Sequence, residues 1–221
     1  VSNVFSSIAT VLGDFFIAVF SISFITFFFL RERGMFTEAI VLLSPQKHEQ
    51  NIRRALKSIK HLLSRYFIGI LLQLTGILVL DTIGMTIVGL GFKKSLLIGL
   101  VAAVFNVIPY LGPIIGTTVG LLLGIAFNID LDIMEILPIV FYMLIVFLSV
   151  QLVDNFLFKP LIFSSSVNAH PLEIFLVILI AGKIAGVGGM ILAIPSYTII
   201  RVFAKEFFNN FRVVKKLTEK I

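Results

Sequence analysis

The amino-acid sequence predicts an all-α polytopic membrane protein, with spanning helices and two broken or re-entrant helical hairpins arranged as inverted repeats. Two observations lead to this fold class. The 221 residues are 58% hydrophobic and only 14% charged, which is too apolar for a soluble domain. In addition, two of the long apolar stretches are interrupted by clusters of Pro or Gly, the residues that end or kink helices.

The composition also excludes several classes of function. The chain has no cysteine and only 3 histidines, so it offers no disulfide framework, no thiolate metal site and no thiol nucleophile. It carries no HExxH zinc motif, no Walker A phosphate loop and no GxSxG nucleophile elbow. We therefore expect a protein that is not an enzyme and has no catalytic residue, no metal and no cofactor, with a transported Na⁺ or H⁺ left open.

The basic residues cluster in two segments that we predict to be cytoplasmic. The chain has 18 Lys and Arg against 12 Asp and Glu, and cytoplasmic loops carry the Lys and Arg excess of membrane proteins. The clusters lie in 31–65 and 201–221, whereas 128–135 contains only acidic charges; Lys93 and Lys94 run against this scheme. Because the basic excess adjoins apolar spans, topology explains it and we expect no nucleic-acid partner.

These patterns divide the chain into six segments. Residues 8–30 are apolar with one charge, Asp14, and are long enough to cross a bilayer. Ser44 as N-cap and Pro45 as first residue are expected to open an amphipathic helix on the membrane surface. The predicted segments are a spanning helix (1–30), a cytoplasmic amphipathic segment (31–65), a first membrane repeat unit (66–127), an acidic external loop (128–135), a second repeat unit (136–204) and a basic cytoplasmic tail (205–221).

Each repeat unit is predicted to be a span followed by a broken helix. The first break is the stretch 109–113, with two prolines and a glycine, and the second is the glycine-rich stretch 182–189. Paired interrupted segments are typical of transporter binding sites, because unsatisfied backbone in a membrane is tolerated only around a cavity. Asp81 followed by Thr82 favours a helix restart within the first span, and an intramembrane acid is the alternative.

Three groups of residues are candidates for substrate or ion binding, each with a structural alternative. The first break could bind a ligand through freed carbonyls, or be a tight turn. Asp154 could carry a proton or sodium ion, or simply pair with Lys159 at the interface. Lys183 could hold an anionic solute, or snorkel away from glycine-mediated packing. The candidate residues are Asn106, Pro109, Tyr110, Gly112, Pro113, Gln151, Asp154, Asn155, Gly182, Lys183, Gly186 and Gly189.

Five stretches of the sequence follow one another in an order that resembles a known family. They are LRERGMFTEAIVLLSP (30–45), FNVIPYLGPIIG (105–116), VQLVDNFLFKPLI (150–162), VNAHPL (167–172) and GKIAGVGGMILAIP (182–195). In order and spacing they are similar to the signatures of the AI-2E (autoinducer-2 exporter) family, although Asp154 stands where the family pattern leads us to expect Glu. Members usually carry further N-terminal membrane helices, so the resemblance implies a truncated chain.

The resemblance implies a secondary transporter or exporter of a small polar solute, autoinducer-2 or a similar compound, with H⁺ or Na⁺ coupling left open. It also implies elevator-like alternating access, a homo-oligomer that could be a pentamer, and a multi-pass protein of the prokaryotic inner membrane. A Na⁺/H⁺ antiporter is one alternative. A passive channel and a non-transporting membrane scaffold are the others.

The charge pattern predicts that the two broken segments enter the membrane from opposite sides. With 31–65 inside, a span over 66–90 ends outside, and a full crossing by 95–127 would place the acidic loop 128–135 in the cytoplasm, against the charge bias. A hairpin at 95–127 instead returns the chain to the outside, and a second hairpin at 171–204 leaves the basic tail inside.

We expect Asp132→Cys to react with a membrane-impermeant thiol reagent in intact cells, and Ser165→Cys to be protected. The chain has no native cysteine, so each signal has a single source. Protection that disappears when the membrane is permeabilised is the control for Ser165→Cys. The reverse labelling pattern would show that both broken segments cross fully.

Overall fold

The computed structural model describes residues 2–32, 34–161 and 170–208, and every regular element in these ranges is helical. Three helical stretches among them are long and apolar enough to cross a membrane, namely Gln46–Ile87, Ile133–Leu161 and Leu172–Phe208. This confirms the predicted all-α polytopic membrane class. The helices are α1 (Ser2–Arg31), α2 (Met35–Leu42), α3 (Glu49–Ile87), α4 (Phe92–Phe105), α5 (Leu111–Ala126), α6 (Ile133–Val153) and α7 (Pro171–Phe208).

The chain divides into two compact units, Val1–Leu56 and Lys57–Ile221. In the first unit, the Arg53 guanidinium donates two hydrogen bonds to Glu38, at 2.8 and 3.0 Å, and one to Glu49 at 2.9 Å. The bond from Arg53 holds the pKa of the Glu38 carboxyl below its ordinary value. Three basic or acidic side chains of this segment thus form one exposed network.

The predicted start of the amphipathic helix is wrong. The Ser44 hydroxyl donates to the Val41 carbonyl at 2.8 Å, so Ser44 satisfies the C-terminal end of α2 and does not cap the next helix. Pro45 precedes a 3₁₀ turn, Gln46–His48, and α3 begins only at Glu49.

Helix α3 continues without a break through the predicted boundary at 65/66 and through Asp81 to Ile87. The expectation that Asp81 and Thr82 restart the helix is therefore wrong. Asp81 is instead a buried acid within an unbroken apolar helix, although Asp is also a common N-cap residue. The predicted domain boundaries and the external loop stay predictions.

Helices α4 and α5 form an antiparallel hairpin whose tip is the segment 106–110. Asn106 is the C-cap of α4, and Tyr110 precedes α5 with a φ of 66°, which is rare for a residue with a side chain. Pro113 falls in the first turn of α5, where backbone N–H groups lack helical partners and proline costs little. The break thus begins earlier than the Pro-Gly cluster suggests.

A glycine at every fourth position of α5 allows its close packing. A Cβ on Gly112 would overlap the carbonyl of Phe105, and one on Gly116 would lie 3.2 Å from the backbone of Ala102. Farther along, Gly120 meets the ring of Phe147, a residue of α6. One face of α5 therefore contacts first its partner arm α4 and then the spanning helix α6.

Helix α7 is itself a hairpin, because its backbone leaves the helical region at Ala185 and Gly186. The Tyr197 hydroxyl donates to Glu173 at 2.9 Å, although 24 residues of continuous helix would separate them by about 36 Å. Gly189 lies against the Ala181 carbonyl on the facing arm. The break predicted in 171–204 is confirmed, and its turn lies at Gly186, whose φ of 59° suits glycine.

Lys94 has a structural role that explains one of the two unexpected basic residues. Its ammonium donates to the carbonyl of Phe127, the C-cap of α5, at 2.8 Å and lies 5.9 Å from the centre of that ring. A cation at a helix C-terminus is favoured by the helix dipole. Lys94 thus links the first turn of α4 to the C-terminal end of α5, at the end of the hairpin opposite its tip.

We expect Gly112→Ala to lower stability by about 1–3 kcal/mol, because the added methyl would meet backbone rather than a flexible side chain. Gly13→Ala is the matched control, since Gly13 lies inside α1 and a methyl added there would have no neighbour within 4 Å. Melting of the two detergent-solubilised variants, followed by size-exclusion chromatography, measures the difference. Equal melting temperatures would show that the backbone of the α4–α5 hairpin shifts to accommodate the added methyl group without loss of stability.

Candidate functional site

Buried polar residues of the second unit surround a small cavity between α3, the α4–α5 hairpin and α6. We call it the central cavity. The volume open to the centre of a water molecule is about 10 Å³, which is room for about one water. Its lining comprises Ile77 and Asp81 of α3, Ala102 and Asn106 of α4 and its cap, Pro113, Gly116 and Thr117 of α5, and Phe147, Val150, Gln151 and Asp154 at the end of α6.

Two antiparallel helices, α3 and α6, form the scaffold of this cavity. Gly84 of α3 faces Val146 of α6, whereas Gln73 faces Asp154, so residue numbers rise on one helix as they fall on the other. Ile77, between these two levels, packs with Val150. Gln73 and Asp154 therefore meet at one level of the bundle, and Asp81 lies about two turns farther along α3.

Asp154 is completely buried and already has two partners. The Gln73 amide donates to its Oδ1 at 2.6 Å, and the Lys159 ammonium lies 3.0 Å from its Oδ2. The second contact is an ion pair without hydrogen-bond geometry, since Oδ2 accepts no hydrogen bond. Asp154 is thus both a buried acid, as one interpretation held, and the partner of Lys159, as the other held.

A π-helical turn, Asp154–Phe158, brings Asp154 and Lys159 together. In an α-helix, residues five apart point about 140° away from each other. Here the Lys159 backbone N–H bonds to the Asp154 carbonyl, the i→i+5 pattern that widens the turn and stacks the two side chains on one side. Nothing in the composition of this stretch distinguishes a π-turn from an α-helix.

Asp154 and Asn155 follow Gln151 by three and four residues, a spacing that predicts one shared helix face for the three side chains. Asp154 is buried, whereas Asn155 is exposed and accepts hydrogen bonds from Gln151 at 3.0 Å and from Lys159 at 2.6 Å. The expected common face of Asp154 and Asn155 is therefore wrong. Gln151 contributes to the central cavity, and Asn155 supports Lys159 from outside.

Asp81 and Asn106 line the central cavity, and each has a buried side-chain oxygen with neither a hydrogen-bond donor nor a cation beside it among the described residues. Asp81 is 1% exposed and Asn106 is 7% exposed, and Oδ1 of each accepts no hydrogen bond from the described residues. Neither Asp81 nor Gln73 is among the binding residues that the sequence predicts. Polar and ionisable residues inside an apolar membrane helix mark functional sites. An unbroken helix over this stretch would therefore have identified Asp81 and Gln73 as candidates.

The profile of the AI-2E transporter family matches residues 1–209. This chain belongs to the AI-2E family. The "Putative transport protein YueF" of Bacillus subtilis is 31% identical over 216 residues, which are 96% of this chain and 55% of that protein. The "Putative transport protein YrrI" of Bacillus subtilis is 29% identical over 208 residues, 94% of this chain and 56% of that protein.

A shorter match supports the same assignment. The "Putative permease PerM" of Escherichia coli is 43% identical over 56 residues, 25% of this chain and 16% of that protein. The chain spans about half the length of the first two curated relatives it matches. No solved structure matches it at a comparable level of significance. These relatives are named as putative transport proteins or a permease, and the apolar helices of the chain agree with a multi-pass membrane protein.

Of the first-break candidates in this AI-2E chain, Asn106 and Pro113 line the central cavity. Tyr110 does not, and its ring instead makes an edge contact with Phe175 of α7, with centroids 6.1 Å apart. Pro109 is buried at the hairpin tip, and Gly112 packs against α4. The first break therefore contributes an amide to the cavity and an aromatic contact to the second hairpin.

The second-break candidates lie away from the central cavity. Gly182 and Gly189 pack the two arms of α7 together, and Gly186 forms the turn between them. Lys183 is exposed on the first arm. The structure thus does not bring Lys183 to the polar cluster around Asp154.

We expect Lys159→Met to lower stability by about 3–5 kcal/mol, because it leaves the fully buried Asp154 carboxylate without its counter-ion. Adding Asp154→Asn to the same protein should restore most of the loss. Lys60→Met is the matched control, because Lys60 is exposed on α3. A Lys159→Met variant that melts with the wild type would show that the ion pair adds nothing to stability.

Proposed function

We propose that this chain is the membrane core of a secondary transporter that exports a small polar solute, autoinducer-2 or a compound like it, with coupling to H⁺ or Na⁺. The observation that carries the proposal is a cluster of buried carboxyl and amide groups beside a helix break, between two antiparallel spanning helices. Ionisable groups inside a membrane are costly, and helix breaks at membrane depth require a lining of protein or water.

The two hairpins support a mechanism of elevator-like alternating access. The arms of each hairpin are held together by contacts at glycine, so each can move as a unit. Both hairpins contribute to one apolar cluster, which contains Ile108 of the first hairpin, Ile174 and Ile178 of the second and Tyr66 of α3. The antiparallel course of α3 and α6 supports inverted repeat units. In this mechanism the joined hairpins move relative to these two helices and open or close the central cavity between them.

The surface of the helices supports a location in a lipid bilayer. Large apolar side chains such as Leu71, Phe156 and Ile184 are exposed on the spanning stretches, where lipid tails or a further copy of the chain would cover them. The relatives named above are bacterial proteins, which supports the inner membrane of a prokaryote. A homo-oligomer belongs to the same proposal, and nothing in the described residues favours a nucleic-acid partner.

A Na⁺/H⁺ antiporter is a second candidate, favoured by the size of the central cavity. Room for about one water suits an ion better than an organic solute, and two carboxyl groups, Asp81 and Asp154, border the cavity. An exporter of an organic solute would have to open this cavity during its cycle. A passive channel would call for a polar path along a whole span, which the isolated central cavity does not offer.

Flux measurements on the full-length protein in liposomes test these functions against one another. We expect efflux of the polar solute that accelerates under an imposed pH or Na⁺ gradient. Na⁺/H⁺ exchange without solute flux would favour the antiporter, and solute flux indifferent to both gradients would favour a channel. The absence of any flux would leave a scaffold and contradict transport.

We expect the double variant Pro109→Ala, Pro113→Ala to reduce solute flux by roughly tenfold, equivalent to about 1.4 kcal/mol, with normal yield and assembly. The backbone donor restored at position 109 would let α4 continue into the tip that holds Asn106, whereas the change at Pro113, in the first turn of α5, adds little to this effect. Pro138→Ala is the matched control, because Pro138 lies exposed within α6 and outside the central cavity. If the double variant transports the solute as fast as the wild type, the break is a structural turn with no role in transport.

A further inference from the structure

We propose that Asp81 and Asn106 form a binding site for one monovalent cation, H⁺ or Na⁺, distinct from the Asp154–Lys159 ion pair. This inference rests on the proposed transport function and assigns its coupling ion to a residue other than Asp154. It starts from the different surroundings of the two buried carboxyl groups of the central cavity.

Asp81 is a buried carboxyl group without a counter-ion. Its side chain is 1% exposed, and no ion pair among the described residues includes it. Its Oδ1 accepts no hydrogen bond from them. A buried carboxylate in this state is strongly unfavourable, so it either takes up a proton or binds a cation.

Asn106 supplies the second oxygen. It caps α4 at the hairpin tip, is 7% exposed, and its amide Oδ1 likewise accepts no hydrogen bond from the described part of the chain. Both residues line the central cavity, which has room for about one water. Carboxylate and amide oxygens are ligands of hard cations. A protonated Asp81 could instead donate a hydrogen bond to an acceptor such as the Asn106 oxygen, so either cation satisfies the same groups.

Asp154 is a poorer site for an exchangeable cation. Its charge is balanced by Lys159 at 3.0 Å, and its other oxygen accepts from Gln73 at 2.6 Å. A cation that entered here would have to displace the lysine, which belongs to the same turn. The other groups that face Asp81 across the cavity are the uncharged Asn106, Thr117 and Gln151, from the α4 cap, α5 and α6.

The position of Asn106 gives cation binding a mechanical consequence. Asp81 belongs to the long helix α3, whereas Asn106 belongs to the tip of the α4–α5 hairpin. A cation held by both side chains would fasten the hairpin tip to α3, and its departure would leave the two free to separate. Occupancy of this site and movement of the hairpin are therefore coupled.

The test compares Asp81→Asn with Asp154→Asn and a control in the purified full-length protein. ²²Na⁺ binding is measured at pH 8 and pH 6, and solute flux into liposomes is measured over the same pH range. Asp132→Asn is the matched control, because it removes an exposed carboxylate outside the central cavity. Asp81→Asn should retain or raise the melting temperature, since it replaces an unpaired carboxylate by an amide of the same shape.

For a sodium site, we expect the wild type and Asp132→Asn to bind Na⁺ more weakly at pH 6 than at pH 8, because protons compete. Asp81→Asn should then lose binding by roughly tenfold or more. For a proton site, no Na⁺ binds, and Asp81→Asn alone makes solute flux independent of pH. An Asn106→Leu variant should weaken Na⁺ binding or shift the pH profile in the same direction.

Three outcomes would overturn the inference. In the first, Asp81→Asn binds Na⁺ and depends on pH as the wild type does. In the second, only Asp154→Asn loses Na⁺ binding and the pH dependence of flux. In the third, neither Na⁺ nor H⁺ has an effect on the wild type. Solute flux is read separately, so each of these can occur in a working transporter and leaves the proposed transport function standing. A wild type that moves neither solute nor cation would end the transport proposal itself.

Discussion

The architecture around the central cavity depends on one constraint, which is that peptide groups freed by a helix break need polar surroundings when the neighbouring helices are apolar. The hairpin tip 106–110 is such a break, and the helix that follows it, α5, is apolar. Its cap, Asn106, faces the side where α3 and α6 present their acids and amides. The break and the polar cluster thus require each other, because each would be costly in an apolar bundle alone.

Close helix approach allows this arrangement to form. Glycines of α5 bring its backbone against α4 at one end and against side chains of α6 at the other. Gly76 of α3 leaves space for the ring of Phe158, which belongs to the π-turn. The turn that brings Lys159 next to Asp154 therefore packs directly against α3. The helix packing at Gly76 and the ion pair between Asp154 and Lys159 therefore depend on each other. The glycine that admits one aromatic ring also permits the ion pair.

The sequence predicted the helical class, the two hairpins and several of the cavity residues, because Pro and Gly have strong local effects on helices. It did not predict the unbroken course of α3, since Asp81-Thr82 has the local chemistry of a cap and only packing with α4 and α6 decides otherwise. Asn155 is exposed although it follows the buried Asp154, because consecutive residues of a helix point about 100° apart. Lys183 lies away from the cluster because the fold-back of α7 pairs its own arms. For α3 and for Lys183, contacts between distant parts of the chain therefore overrode a local signal.

The π-turn at Asp154–Phe158 has a further consequence for chain length. A π-turn is geometrically an α-helix that has accepted one additional residue while the helix on its far side keeps its orientation. Asp154 and Lys159, five residues apart, therefore meet as a pair four apart would meet in an α-helix. Deletion of one residue between them would relax the turn to an α-helix and keep the two charges adjacent. Homologous chains that differ by one residue at this point can thus retain the same ion pair and the same helix faces on both sides of it.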